Sequence, residues 1–287
     1  MSLRDYFAVV KPRIIPLLVF VALGSAVVAA KGLPPIPVLV GVLLGGTLAS
    51  AGSLSLNSYL EMGIDSRMKR TMNRPLPAQR IVPANHALVL GLALLAAGIA
   101  TALLTINPVA TFFIAFGAFV YVPVYTIWLK PRTVWNIVLG GFAGSCSALA
   151  GWYAVSAAGS VVAWILAALV FVWTPSHFWS LAVIMEEDYA SVGIPMLPSV
   201  VGPQRASKYI VANTLILIPV SLLLVPFLFG WGLLVYLAGV VVFDGFLLAT
   251  NIKLLRSPTK GNAFLAFKFS APYLAVVFLV AMVAAVV

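Results

Sequence analysis

Residues 37–74 read PVLVGVLLGGTLASAGSLSLNSYLEMGIDSRMKRTMNR, and the change of character along them decides the fold. From Pro37 to Leu60 no residue is charged. The segment is long enough to cross the ~30 Å hydrocarbon core of a bilayer as a helix, which takes about 20 apolar residues. From Glu61 to Arg74 the chain then carries Glu61, Asp65, Arg67, Lys69, Arg70 and Arg74. A passage this abrupt from apolar to ionic composition marks a chain leaving a membrane.

The same alternation recurs along the whole sequence. Apolar spans can be placed at 14–30, 37–60, 84–105, 108–128, 135–158, 161–184, 209–229, 231–254 and 263–287. The short connections at Asn107, Gly159 with Ser160, and Gly230 leave room for a re-entrant segment or a merged pair of spans. With 63% hydrophobic and 8% charged residues, against about 25% charged in soluble domains, the expected fold is an all-α integral membrane bundle of nine transmembrane helices. No Pro- or Gly-rich linker divides it, so residues 1–287 read as one domain. Cys146 is the only cysteine, which excludes a disulfide or a Cys-based metal site within one chain.

The bases give the bundle a direction. Lys and Arg favour cytoplasmic loops, and here they fall in alternate connections. The N-terminus carries Arg4, Lys11 and Arg13; the later loops of the same side carry Arg67, Lys69, Arg70, Arg74 and Arg80, then Lys130 and Arg132, then Arg205 and Lys208, then Lys253, Arg256 and Lys260. Only Lys31 lies on the other side, and Lys268 is within snorkelling reach of the first. This predicts a cytoplasmic N-terminus and an external C-terminus. The net charge of +10 therefore points to topology and to anionic lipid or substrate, with no nucleic acid partner. The long loops, where water-accessible chemistry belongs, are all on the cytoplasmic side.

Five of the seven acids gather on that side in two clusters, Glu61 with Asp65 and Glu186 with Glu187 and Asp188. Asn57, Glu61 and Asp65 recur at i, i+4 and i+8, which places their oxygens on one helical stripe. Two carboxylates at that spacing repel by roughly 0.2–0.5 kcal/mol in water, so a counter-charge is expected. Oxygen ligands without His or Cys suit Mg²⁺, which takes one or two carboxylates, keeps waters and is completed by substrate phosphates. Arg67, Lys69, Arg70 and Arg74 have the donors to neutralise a diphosphate. The alternative is a solvated helix end in which Asp65 pairs with Lys69 and the bases serve topology alone. Asp244, several turns inside the eighth span, requires a partner, and Lys268 is the candidate.

These residues resemble a known family. The Asn57, Glu61, Asp65 stripe followed by MKRTMNRPLP (68–77) resembles the first motif of the UbiA superfamily of intramembrane prenyltransferases. SHFWSLAVIMEEDYASVGIPMLPSVVG (176–202) resembles its heme-modifying branch, the heme O synthases, as do KPRII (11–15), YTIWLKPRTVWNIVLGGFAG (125–144) and FLAFKFSAPYL (264–274). Two positions depart from the pattern. Val192 stands where many members carry a second Asp, as is common in the heme-modifying branch, and Ser147 with Ala148 replace a Pro-Pro pair in the fifth span.

The resemblance implies transfer of a farnesyl group from farnesyl diphosphate to a vinyl group of heme B at the plasma membrane, with Mg²⁺ as cofactor and heme O as product. It implies that Asn57, Glu61, Asp65 and Asp188 bind metal and diphosphate. Arg67, Lys69, Arg70, Arg74, Lys130 and Arg132 would then serve the diphosphate or the heme propionates. His177 is either a heme contact or a core histidine bonded to a neighbouring helix. Membrane lipids, and heme-handling or terminal-oxidase assembly proteins, are the implied partners. Competing classes are a UbiA-type enzyme with an aromatic or quinone-precursor acceptor, a divalent-cation transporter and a heme-binding assembly factor.

Overall fold

A computed structural model describes residues 2–287, which form helices and no strand. In chain order these are α1 (Leu3–Val9), α2 (Ile15–Ala30), α3 (Ile36–Leu60), α4 (Met62–Asp65), α5 (Asn85–Thr105) and α6 (Pro108–Phe119), which continues as a π-helix over Val120–Leu129. The second half holds α7 (Asn136–Gly140), α8 (Phe142–Val155), α9 (Val161–Ile184), α10 (Glu186–Ser191), α11 (Leu197–Val201), α12 (Pro203–Leu222), α13 (Gly230–Arg256) and α14 (Lys260–Val286). Among the described residues, eight helical segments are long and apolar enough to cross a membrane. The shorter apolar helix α2, 16 residues, is the ninth. Leu92, Leu104, Phe112, Val241 and Phe246 point outward from these helices, a placement that lipid covers and water would penalise.

The helices close into a ring. α2 packs on α3, α3 on α5, α5 on α6, α6 on α8, α8 on α9, α9 on α12, α12 on α13, α13 on α14, and α14 returns to α2. Contacts of α2 with α8 and of α9 with α14 fill the middle, where Leu149, Leu166, Leu169, Tyr273 and Phe278 form the main core. The seam between α3 and α5 is made of small residues. A methyl group at Gly52 would lie 2.5 Å from the Leu95 nitrogen, and one at Gly98 would overlap the Ala49 nitrogen. Such residues let two backbones touch without a hydrophobic driving force in lipid, and they hold α3, which carries the acidic stripe, firmly on α5.

The three short connections are ordinary turns that separate distinct helices. Asn107 accepts from the Ala110 amide at 2.9 Å, Ser160 accepts from Val162 at 3.2 Å, and Gly230 adopts φ +56°. The seventh helix starts at Pro203 rather than 209, because Arg205 and Lys208 occupy its first turns, where hydropathy reads them as loop. The fifth span breaks at Gly141, while Ser147 and Ala148 lie inside an unbroken α8.

The polar end of the bundle is packed as well. Val9, Leu76, Ile81 and Ala87 make a small core that seats α1 on the loop after α4. Met68 of that loop is buried in a second cluster with Trp179, Tyr189, Ile194, Met196 and Leu197. The GIPMLP segment is thus largely a packing element, and Gly193 at its head takes φ +70°, a conformation that suits glycine.

Candidate active site

α3 ends at Glu61, where φ −90° and ψ 0° close the helix, and α4 resumes at Met62. The stripe survives this break. Asn57, Glu61 and Asp65 are 2%, 6% and 4% exposed, so three polar side chains are buried at the membrane boundary and each needs a partner.

Each has one, and it is a cation. Lys11 donates to Asn57 Oδ1 at 2.5 Å, Lys130 pairs with Glu61 Oε1, and Arg74 donates to Asp65 Oδ2 at 2.8 Å. The Asn57 amide also donates to Thr126 Oγ1 at 3.0 Å. Thr126 and Lys130 are spaced i, i+4 at the C-terminal end of the π-helix, as Asn57 and Glu61 are on α3. The two pairs meet rung by rung. π-Helical turns often occur at functional sites, and Pro123 within this one removes a backbone donor.

The electrostatics follow from burial and neighbours. Burial pushes the Lys11 ammonium down to about 8, with Arg74 adding like charge and Glu61 and Asp65 opposing. Burial works to raise Glu61, but Lys130 and Lys11 outweigh it and hold the carboxyl below its ordinary value. Lys130 shows the converse. Burial disfavours its charge, Glu61 overcomes that, and the ammonium sits above its usual range.

Asp65 does not pair with Lys69. The chain turns away after Asp65, fastened by Thr71 Oγ1 donating to the Asp65 carbonyl at 2.8 Å, so the i+4 geometry never forms and Arg74 arrives instead. Asp188 joins the same loop from the other cluster. Its Oδ1 and Oδ2 accept from the backbone amides of Lys69 and Arg70 at 3.2 and 3.3 Å, which leaves lone pairs on both oxygens. The side chains of Arg67, Lys69 and Arg70 are exposed. Arg132 is exposed as well, and its guanidinium caps the π-helix by donating to the carbonyls of Ile127 and Trp128 at 2.8 and 3.0 Å.

His177 lies apart from these groups, between α9 and α14. Its Nδ1 meets Ser270 Oγ at 2.5 Å, and its ring stacks on Trp173 with centroids 4.4 Å apart. Among the described residues no atom pairs with Nε2. Asp244 is bonded by Tyr273 and Ser221, each at 2.8 Å. Lys268 is exposed and is not its partner.

The donor set fits Mg²⁺ in kind. It is oxygen-only, it offers two carboxylates and an amide along one buried stripe, and each of those oxygens already holds a positive charge. Among the described residues no three His, Cys, Asp or Glu side chains converge as a finished cage, so a metal here would be completed by substrate oxygens and water. A cavity of about 10 Å³ beside the stripe is lined by Lys11, Ser58, Asp65 and Arg74.

Residues 17–285 match the UbiA prenyltransferase family. This chain belongs to that family. It is 45% identical over 283 residues to protoheme IX farnesyltransferase 1 of Cenarchaeum symbiosum, covering 97% of this chain and 94% of the relative. It is 40% identical over 288 residues to protoheme IX farnesyltransferase of Sulfurisphaera tokodaii, covering 97% and 92%. Among solved structures, a digeranylgeranylglyceryl phosphate synthase superposes with a TM-score of 0.77 at 19% identity, covering 99% of this chain and 98% of the other. A UbiA homolog from Archaeoglobus fulgidus bound to GPP and Mg²⁺ gives 0.65 at 17% identity, covering 96% and 99%. These two show a shared fold, and the expected membrane-embedded helical bundle agrees with it.

Two members of this constellation were given no site role by the sequence. Lys11 read as one of three topological charges at the N-terminus, although it opens the KPRII segment that carries the resemblance. Thr126 lay in an apolar run of the segment 125–144, and its further signal is the i, i+4 spacing to Lys130.

Proposed function

We propose that this membrane prenyltransferase moves a farnesyl group from farnesyl diphosphate to a vinyl group of heme B, giving heme O and diphosphate. The observation that carries the reading is the buried Asn57, Glu61, Asp65 stripe loaded with cations, in a chain whose near-full-length relatives are protoheme IX farnesyltransferases. Asn57, Glu61 and Asp65 would hold Mg²⁺, with Asp188 contributing from the facing element. When bound, the ion supplies Lewis-acid stabilisation of the departing diphosphate. Arg74 and Lys130 turn from their carboxylates to the diphosphate oxygens, and Arg67, Lys69 and Arg70 close over them from the loop that Asp188 anchors. Arg132 supports the helix end from which Lys130 projects.

As the C–O bond of the donor breaks, its electron pair leaves with the diphosphate. The vinyl carbon bonds to the farnesyl carbon, and water adds to the resulting cation and loses a proton, which accounts for the hydroxyl of heme O. The apolar interior keeps that water from reaching the allylic cation first.

His177 is the proposed heme contact. Support comes from its free Nε2 and from Ser270, which orients the ring through Nδ1 as outer partners orient metal-binding histidines. We further propose that residues 1–287 act as one catalytic domain in the plasma membrane, with the N-terminus and active site cytoplasmic and the C-terminus external. The distribution of Lys and Arg supports this, and labelling of single cysteines placed in the loop 66–84 and near residue 159 from the two sides checks it.

The test is incubation of the purified chain with heme B and farnesyl diphosphate, with and without Mg²⁺, followed by mass spectrometry. A heme product carrying the farnesyl group and one added hydroxyl, formed only with Mg²⁺, is expected; heme of unchanged mass in both arms sinks the reading. His177→Ala should weaken heme binding in an absorbance titration while leaving pyrophosphate binding intact.

A further inference from the structure

Lys11 stands against two backbone preferences. It follows the C-cap of α1 with φ +50°, a left-handed position usually left to glycine or asparagine. It also precedes Pro12, whose ring favours extended backbone in the residue before it. Strain of this kind persists where the surroundings over-determine it, and it gathers at functional sites. Here the turn aims Nζ at Asn57 Oδ1, which it reaches at 2.5 Å.

Asn57 does not call for a cation. It is a neutral amide, whereas Glu61 and Asp65 already have Lys130 and Arg74. Lys11 therefore leaves the two buried carboxylates facing three positive side chains, of which Arg74 is 34% exposed, a surplus of one charge beside groups whose burial makes charge costly. A fully ionised prenyl diphosphate carries three negative charges and one Mg²⁺ carries two positive, so the pair brings a deficit of the same size. Counted over the buried stripe alone, without Asp188 and the loop bases, the surplus suits an anionic ligand rather than a neutral or cationic one.

We propose that Lys11 is a donor-binding residue: its ammonium, which donates to Asn57 Oδ1, would turn to a diphosphate oxygen when Asn57 served the metal of a bound prenyl diphosphate. The proposal rests on the reading that the Asn57, Glu61, Asp65 stripe is the metal site. Lys11 is thus both a competitor of the free metal and a partner of the metal with diphosphate, and removing it has opposite effects on the two.

The test uses the full chain in detergent, with Mn²⁺ binding followed by electron paramagnetic resonance and pyrophosphate binding in excess Mg²⁺ by calorimetry. Lys11→Met should tighten Mn²⁺ alone about tenfold, well within what one nearby like charge contributes at an effective dielectric of about 20. It should weaken pyrophosphate about tenfold, the value of one charge-assisted hydrogen bond. Lys11→Gly, which suits the left-handed backbone, should behave the same way with an unchanged Tm. Equal losses in both titrations, no change in either, or pyrophosphate affinity retained in Lys11→Gly would overturn the proposal. Asp65→Asn separates the two failures: Mn²⁺ binding that survives it refutes the metal site itself, whereas Mn²⁺ binding that it abolishes leaves Lys11 to be judged alone.

Discussion

Asp65 and Asp244 are both buried aspartates of this bundle, 4% and 5% exposed, yet their partners differ in kind. Asp65 is held by the guanidinium of Arg74, a long side chain from a loop, and Glu61 beside it by Lys130 at a helix end. Asp244 is held by the hydroxyls of Tyr273 and Ser221 on two packed helices, with Tyr236 donating to the Ser221 carbonyl at 2.7 Å. A flexible cation can exchange a carboxylate for a phosphate when a metal arrives. Hydroxyls fixed on the helices α12 and α14 have no such alternative, and what they secure is the packing of α12, α13 and α14. On the proposed function, the same residue type would serve an exchangeable site in one place and a permanent joint in the other.

The largest expected effect is at the exchangeable site. Asp65→Asn should lower turnover by about 10²–10³, the usual loss when a group stabilising transition-state charge is removed, with thermal stability nearly kept. Turnover within tenfold of the parent would place Asp65 with Asp244 as a structural residue. Next in size is the Glu61 and Lys130 pair, whose side chains are 7% and 13% exposed. Lys130→Met alone strands a buried carboxylate, at a cost of about 3–5 kcal/mol. Adding Glu61→Gln should recover most of that stability in a thermal or denaturant scan and restore none of the activity. Recovery of both would remove the distinction between the two sites.

The smallest effect is expected at the joint. Asp244→Leu should cost about 1–2 kcal/mol, the range of interhelical hydrogen bonds in membranes, while the folded fraction keeps its specific activity. A loss of turnover without a loss of stability would make the joint part of the chemistry.

Much of this was readable before any coordinates. Hydropathy and charge separate lipid from water strongly, so the spans, their number and the polar end followed from composition along the chain. The i, i+4, i+8 spacing placed Asn57, Glu61 and Asp65 on one stripe, and the stripe is buried as a unit. The partners were another matter. Lys268 and Tyr273 are five residues apart, about 140° around a helix that turns 100° per residue. The face of α14 that offers Tyr273 to Asp244 therefore turns Lys268 outward. Asp65 found Arg74 rather than Lys69 because the helix stops at the site itself.

The sequence by itself determined where the chain meets lipid, which end carries the charge, and which oxygens could gather there, because these depend on local composition and helical period. Only the tertiary structure decided which cation answers which oxygen. That choice is made by chain turns and by contacts between distant segments, as when Lys11, 46 positions from Asn57 in sequence, is bent onto the stripe by a turn whose strain no pattern of residues records.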